Sequence, residues 1–176
     1  MKQFFEDVLK LPYKSNSQVN PEHENQVEEL IKKHSLEYKS QPNGTQNSPD
    51  FRVMYHGQHY DIECKSSKEY YPVYNGGLPK PGVIYIFSSE KYGETTIYFA
   101  EDVVSDEKRQ LYESLREDLK EVLWQYQTLD DWKDDDRGFD YYIRNMYTQK
   151  GGASKANYFT HPKRSYCEQR ILNHTW

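Results

Sequence analysis

Apolar residues recur along this chain in two rhythms, and each switch between them marks a new element. Near the start, Phe4, Phe5 and Val8 share one side of a short helix over residues 2–10. Asn20-Pro21 reads as a helix start, with the asparagine as cap and the proline at the first helical position. That helix runs to about His34 and carries Val27, Leu30 and Ile31 as its apolar stripe. Residues 36–40 predict a strand. From Asp50 to Lys65 the pattern reads as two short strands around His56-Gly57, where glycine suits the positive φ of a two-residue hairpin. Residues 83–87, Val-Ile-Tyr-Ile-Phe, form a continuous apolar run, the signature of a strand buried on both faces. Residues 95–99 predict the next strand. A long helix over residues 105–126 follows, with Leu111, Leu115, Leu119, Val122 and Leu123 inward. Residues 139–147 predict a short helix, and residues 165–173 a last one.

Helix, strand, hairpin, two strands and then helices give an α/β (mixed α+β) class, with a central mixed β-sheet of about five strands flanked by helices. A chain of 176 residues fits a single domain, 1–176. Only 35% of it is hydrophobic and 29% is charged, so the surface is heavily solvated. No apolar run reaches the length of a membrane span. The first residues lack the apolar stretch of a secretory signal. Two cysteines, Cys64 and Cys167, make no disulfide framework. These features predict a cytoplasmic protein with no membrane partner. No glycine-rich phosphate loop with a following Lys-Ser/Thr is present, so no nucleotide cofactor is expected.

The hairpin carries the chemistry. Pairing across its turn sets Tyr55 opposite Gln58, and counting outward sets Asp50 opposite Glu63. Opposed side chains have Cβ atoms roughly 5 Å apart, close enough to share one metal ion. Lys65 lies two residues past Glu63, so both point to one face, about 7 Å apart along the strand. Ile62 and Cys64 point the other way, towards a core. Two carboxylates suit a hard cation such as Mg²⁺, which takes few protein ligands and completes its shell with water and substrate oxygens. Asp61 shares the face of Glu63 and is read as a solvated or supporting group outside the metal shell.

Ser48-Pro49-Asp50 followed by Glu63-Cys64-Lys65 resembles the PD-(D/E)XK nuclease superfamily, and within it the type II restriction endonucleases. The likeness covers about residues 20–100. It implies a restriction-endonuclease-like core and a Mg²⁺ held by Asp50, Glu63 and the main-chain carbonyl of Cys64. Lys65 would orient or deprotonate the attacking water. The superfamily also implies a role for Glu24, on the inward side of the first core helix, reaching the metal site through water. A helix-start acid interacting with the helix dipole is the alternative for Glu24.

The net charge of −5 is unusual for a protein that grips DNA, but its distribution is uneven. Residues 101–136 hold 5 Lys/Arg against 13 Asp/Glu, a net of −8. Residues 137–176 hold 7 against 2, a net of +5, and form a C-terminal basic segment. Lys150, Lys155, Asn157, Lys163 and Arg164 in that segment are candidate DNA contacts. So are the amides Gln41, Asn43 and Gln46 in the loop before Asp50, and Lys80 in the loop after the hairpin. The leading expectation is a Mg²⁺-dependent type II restriction endonuclease that cuts double-stranded DNA at a short specific sequence, working as a homodimer. The alternatives are a structure-selective nuclease resembling Holliday-junction resolvases, and a non-catalytic DNA-binding module.

Overall fold

The fold is built around a strand with no solvent side. The computed structural model describes residues 1–17, 21–45, 47–133, 137–138, 140–149 and 158–176. In chain order, α1 (Lys2–Val8) and α2 (Glu22–Lys33) precede β1 (Glu37–Ser40), β2 (Phe51–Tyr55), β3 (Gln58–Ser67), β4 (Val73–Tyr74), β5 (Val83–Ser89) and β6 (Glu94–Phe99). Next come α3 (Ala100–Val103), α4 (Asp106–Gln127), α5 (Asp130–Lys133), β7 (Tyr147–Thr148) and α6 (Arg164–Leu172). Five strands form one mixed sheet in the order β1-β2-β3-β5-β6. β3 and β5 run parallel, and the other neighbours are antiparallel. The protein is therefore α/β, with a five-stranded mixed sheet flanked by helices. Among the described residues no helix is long and apolar enough to cross a membrane.

Strand alternation sorts the sheet's side chains into two cores. Ile62, Cys64, Ile84, Ile86 and Ile97 lie on one face and pack with Phe4, Phe5 and Val8 of α1 and Val27 and Ile31 of α2. Tyr85, Phe87 and Tyr98 lie on the other and pack with Tyr74, Tyr158, Phe159 and Cys167. All seven residues of β5 are buried, because both of its faces are covered and both of its edges are paired. α6 rests on β6 and serves both cores, Ile171 in the first and Cys167 in the second. In α2 the acids Glu22 and Glu24 fall in the first turn and Lys32 and Lys33 in the last, which complements the helix dipole. The helix starts one residue later than its proline suggests. Pro21 is the cap, and its carbonyl accepts the first helical bond from the Asn25 N–H at 2.9 Å. Asn20 lies outside the described residues.

Two expectations fail in the second half. α4 forms over the expected span, with Ser105 as its N-cap accepting from the Lys108 N–H at 3.3 Å. Its apolar stripe is not inward. Leu111, Leu115, Leu119 and Val122 are 44–59% exposed, and no residue of α4 is buried. The sheet face that would have received the stripe is already covered by Tyr74, Tyr158 and Phe159, and α6 lies along β6. No helix forms over the described part of residues 139–147. Residues 140–146 have no regular structure, and Tyr147–Thr148 pairs with Val73–Tyr74 as a two-stranded ribbon. Aromatic and β-branched residues at 141–143 and 147–148 favour an extended chain. Asp140 also ties the segment back to α4 and α5, accepting from Gln127 Nε2 and Trp132 Nε1, both at 3.1 Å.

Candidate active site

The hairpin turns at His56-Gly57, with φ of +49° and +76°, the left-handed pair that a tight two-residue turn requires. Its register is Tyr55 opposite Gln58 and Phe51 opposite Ile62, which carries Asp50 to the level of Glu63. Asp50 sits just before β2. Its Oδ2 accepts a 2.7 Å hydrogen bond from the Cys64 main-chain N–H. The strand therefore fixes the carboxylate beside Glu63. Glu63 and the Cys64 carbonyl are adjacent on β3, and Asp50 is held beside them from the other arm of the hairpin. Burial first, then the neighbouring charges of Asp50, Glu24 and Glu63, push the Cys64 thiol well up.

Glu63 is only 7% exposed. Its Oε1 accepts from Lys65 Nζ at 2.5 Å, while its Oε2 is buried and has no hydrogen-bond partner. Burial pulls Lys65 towards its neutral form, but the charge and hydrogen bond of Glu63 and the charge of Asp50 outweigh it and hold the ammonium above its ordinary value. Asp50 is pushed up to about 7. Burial is the largest cause, followed by the charges of Glu63 and Glu24, and the Cys64 N–H and Lys65 oppose the rise. Three carboxylates thus act on one pocket beside a single lysine. A divalent cation fits that imbalance, because it would take the bare Glu63 Oε2 and relieve the repulsion on Asp50. Among the described residues no group of three or more His, Cys, Asp or Glu side chains forms a ready cation cage. Two carboxylates, a carbonyl and waters make a Mg²⁺-type shell rather than a zinc-type one.

Glu24 reaches this site from the first turn of α2, close enough for its charge to be felt at Asp50. Asn16 Nδ2 holds it at 2.6 Å. Asn16 went unnoticed in the sequence, since nothing local ties a residue before α2 to the carboxylates. Tyr85 also went unnoticed. It stands opposite Glu63 in the parallel pair, and its hydroxyl accepts from the Lys80 N–H at 2.9 Å. The apolar run that announced β5 concealed it. Lys80 lies at the mouth of the site, with Nζ 3.5 Å from the Ser48 carbonyl. The Gln41 N–H donates to the Asp50 carbonyl at 2.7 Å, and Asn43 Nδ2 to the Ser48 carbonyl at 2.9 Å. Gln41 and Asn43 therefore brace the approach to Asp50.

Other candidates lie apart. Asp61 is taken by Arg52 in a two-pronged ion pair, at 2.6 and 2.9 Å. Arg164 pairs with Glu94 at 2.7 Å and Glu168 at 2.9 Å and lies over the Phe159 ring, so it braces α6 rather than presenting a free cation. Lys163, the N-cap residue of α6, is exposed and stands beside the tyrosine core. Gln46, Lys150, Lys155 and Asn157 lie outside the described residues. No family model matches the chain, and no curated protein or solved structure matches it.

Proposed function

We propose that this protein is a Mg²⁺-dependent endonuclease of the type II restriction class, hydrolysing double-stranded DNA at a short specific sequence. The observation that carries the reading is the paired Asp50 and Glu63 with Lys65 on the same face, one Glu63 oxygen being buried and unsatisfied. Asp50, Glu63 and the Cys64 carbonyl would hold the Mg²⁺, which when bound polarises the scissile phosphate and activates a water. Lys65 orients that water and offsets the charge that builds on the phosphate. Glu24 keeps a third carboxylate at the rim, where a hydration water of the site can rest. Lys80 meets the backbone of the incoming DNA. Such an enzyme works in the cytoplasm, where Cys64 and Cys167, both free and buried, stay reduced.

Asp50→Ala and Glu63→Ala are expected to abolish cleavage of defined DNA in Mg²⁺ while leaving the fold intact. Lys65→Ala is expected to slow cleavage by roughly 10²–10⁴. Discrete fragments on a gel identify a restriction enzyme. Cleavage confined to branched DNA identifies a resolvase-like nuclease, and no cleavage a binding module. Full activity in Glu63→Ala removes the site assignment. A palindromic target has two-fold symmetry, which two identical subunits meet with one site per strand. Sedimentation on a duplex in Ca²⁺ is therefore expected to give two chains per duplex, and a strict monomer that nicks one strand counts against it.

A further inference from the structure

A cavity of about 510 Å³ opens on the tyrosine face of the sheet, between the β4–β7 ribbon, the start of α4 and the start of α6. Tyr74, Tyr112, Tyr147 and Tyr158 are among the residues that line it. Tyr112 and Tyr147 meet edge to face, with ring centroids 5.4 Å apart. Flat apolar walls of this kind suit a planar aromatic ring. The size lies within the range of small-molecule sites.

The polar groups of the cavity set what the ring must carry. Asp102 lines it, but its carboxylate is paired with Arg170. Arg164 lines it and is neutralised by Glu94 and Glu168. Lys108 and Lys163 line it, and neither ammonium has a carboxylate partner among the described residues. The Lys108 ammonium stands 5.3 Å over the Tyr112 ring, so a cation and an aromatic wall are presented together. The cavity therefore offers ring surfaces with two free positive charges, which fits an aromatic base bearing a phosphate.

The cavity is also close to the carboxylates. Tyr74 packs on Tyr85 at 5.7 Å between centroids, and Tyr85 is the register partner of Glu63 on the next strand. Neighbouring strands are about 4.8 Å apart, so the wall of the cavity begins within roughly two strand widths of the catalytic carboxylates. Arg109, next to Lys108, has its Nε buried without a hydrogen-bond partner. Its charge is felt at the Tyr85 hydroxyl, as are those of Glu63 and Asp50. Tyr85 thus feels both Arg109, the neighbour of the cavity's Lys108, and the carboxylates of the candidate site.

We propose that this cavity receives a single nucleotide of the DNA substrate turned out of the stack, its base against Tyr112 and Tyr147 and its phosphate on Lys108 and Lys163. The assignment rests on the nuclease reading for the source of the nucleotide, not for the chemistry of the cavity. Aromatic stacking and two ammoniums are what offset the loss of stacking when a base leaves the duplex.

The test is calorimetric titration of the full-length protein in EDTA with a deoxynucleoside 5′-monophosphate, the matching deoxynucleoside and inorganic phosphate. The mononucleotide is expected to bind at millimolar concentration, and the nucleoside and phosphate at least about tenfold more weakly. Tyr112→Ala and, separately, Lys163→Gln should each weaken it by about tenfold, with melting curves showing that both variants stay folded. Duplex DNA should displace the bound mononucleotide. No binding, or binding unchanged in both variants, overturns the site. Phosphate binding as tight as that of the mononucleotide reduces it to an anion site and overturns the base pocket. A mononucleotide that stays bound under saturating DNA overturns the substrate assignment in favour of a free effector. No step of this assay needs cleavage, so its failure is separate from failure of the metal-dependent digest.

Discussion

β5 and α4 both carry apolar positions that the sequence assigns to the core, and they meet opposite fates. Every residue of the seven-residue strand is buried, and none of the 22-residue helix is. The strand is a continuous apolar run, and such a run is stable only when both faces are covered. The helix carries a stripe, and a stripe states that one side is apolar without stating what covers it. In the strand, local pattern and tertiary fate are one fact. In the helix they are separate facts, and only the first is local.

The comparison breaks most visibly in the core. Ile86 is fully buried in β5, between the sheet and α2. Ile86→Ala is expected to cost about 2–5 kcal/mol, since the methyl groups leave a cavity that two packed layers cannot close. Urea denaturation would read it as a lower midpoint with an unchanged slope. A loss under about 1 kcal/mol would mean that β5 is not the tightly packed centre described above.

His23 sharpens the comparison from the buried side. It lies on the inner face of α2 with no exposed surface, and among the described residues neither ring nitrogen makes a hydrogen bond of full geometry. Burial pulls its imidazole down to about 4 from an ordinary 6.5, and the nearby Ile86 main chain offsets only part of that. The folded pKa is the lower one, so the unfolded chain takes the proton first as pH falls. Stability on this account is full above about 6.5 and is lost towards 4. The separation is worth roughly 3 kcal/mol in all, and roughly 2 kcal/mol between pH 8 and pH 5. Asp50, held up near 7, works the other way, so the difference between variant and wild type is the quantity to read. His23→Leu is expected to gain on the wild type by that roughly 2 kcal/mol as pH falls from 8 to 5. A gap independent of pH would show that the ring finds a partner or water.

The same division between local and distant facts explains what was legible in the sequence. The relation of Asp50, Glu63 and Lys65 follows from a two-residue turn and a period of two, so counting was enough. The succession of strands along the chain followed from the apolar runs and the hairpin. Glu24 was reachable because a helix fixes which residues share its inner side. Asn16 and Tyr85 were not reachable, since each arrives beside the carboxylates through packing between distant segments. The pairing of Arg164 was out of reach for a related reason. Its charge is visible in the sequence, but Glu94, which occupies it, is 70 residues away in the chain. The helix expected over residues 139–147 does not form in its described part, where Tyr147 instead pairs with Tyr74 of β4 in a ribbon that no local pattern announces.

The smallest effect is expected where the sequence reading most favoured a large one. Leu115 and Leu119 have the helical spacing of a core stripe, yet they are 50% and 44% exposed. A leucine already half in water returns little free energy on folding, so shortening it forfeits only a part of the roughly 1.5–3 kcal/mol of a buried side chain. Serine is also a slightly poorer helix former than leucine, by a few tenths of a kcal/mol. Leu115→Ser and Leu119→Ser are therefore each expected to cost below roughly 1 kcal/mol, against about 2–5 for Ile86→Ala. Urea denaturation of all three variants at the same low protein concentration makes the comparison direct. A loss at Leu115 or Leu119 as large as at Ile86 would mean that α4 is covered after all, and the contrast between the strand and the helix would not stand.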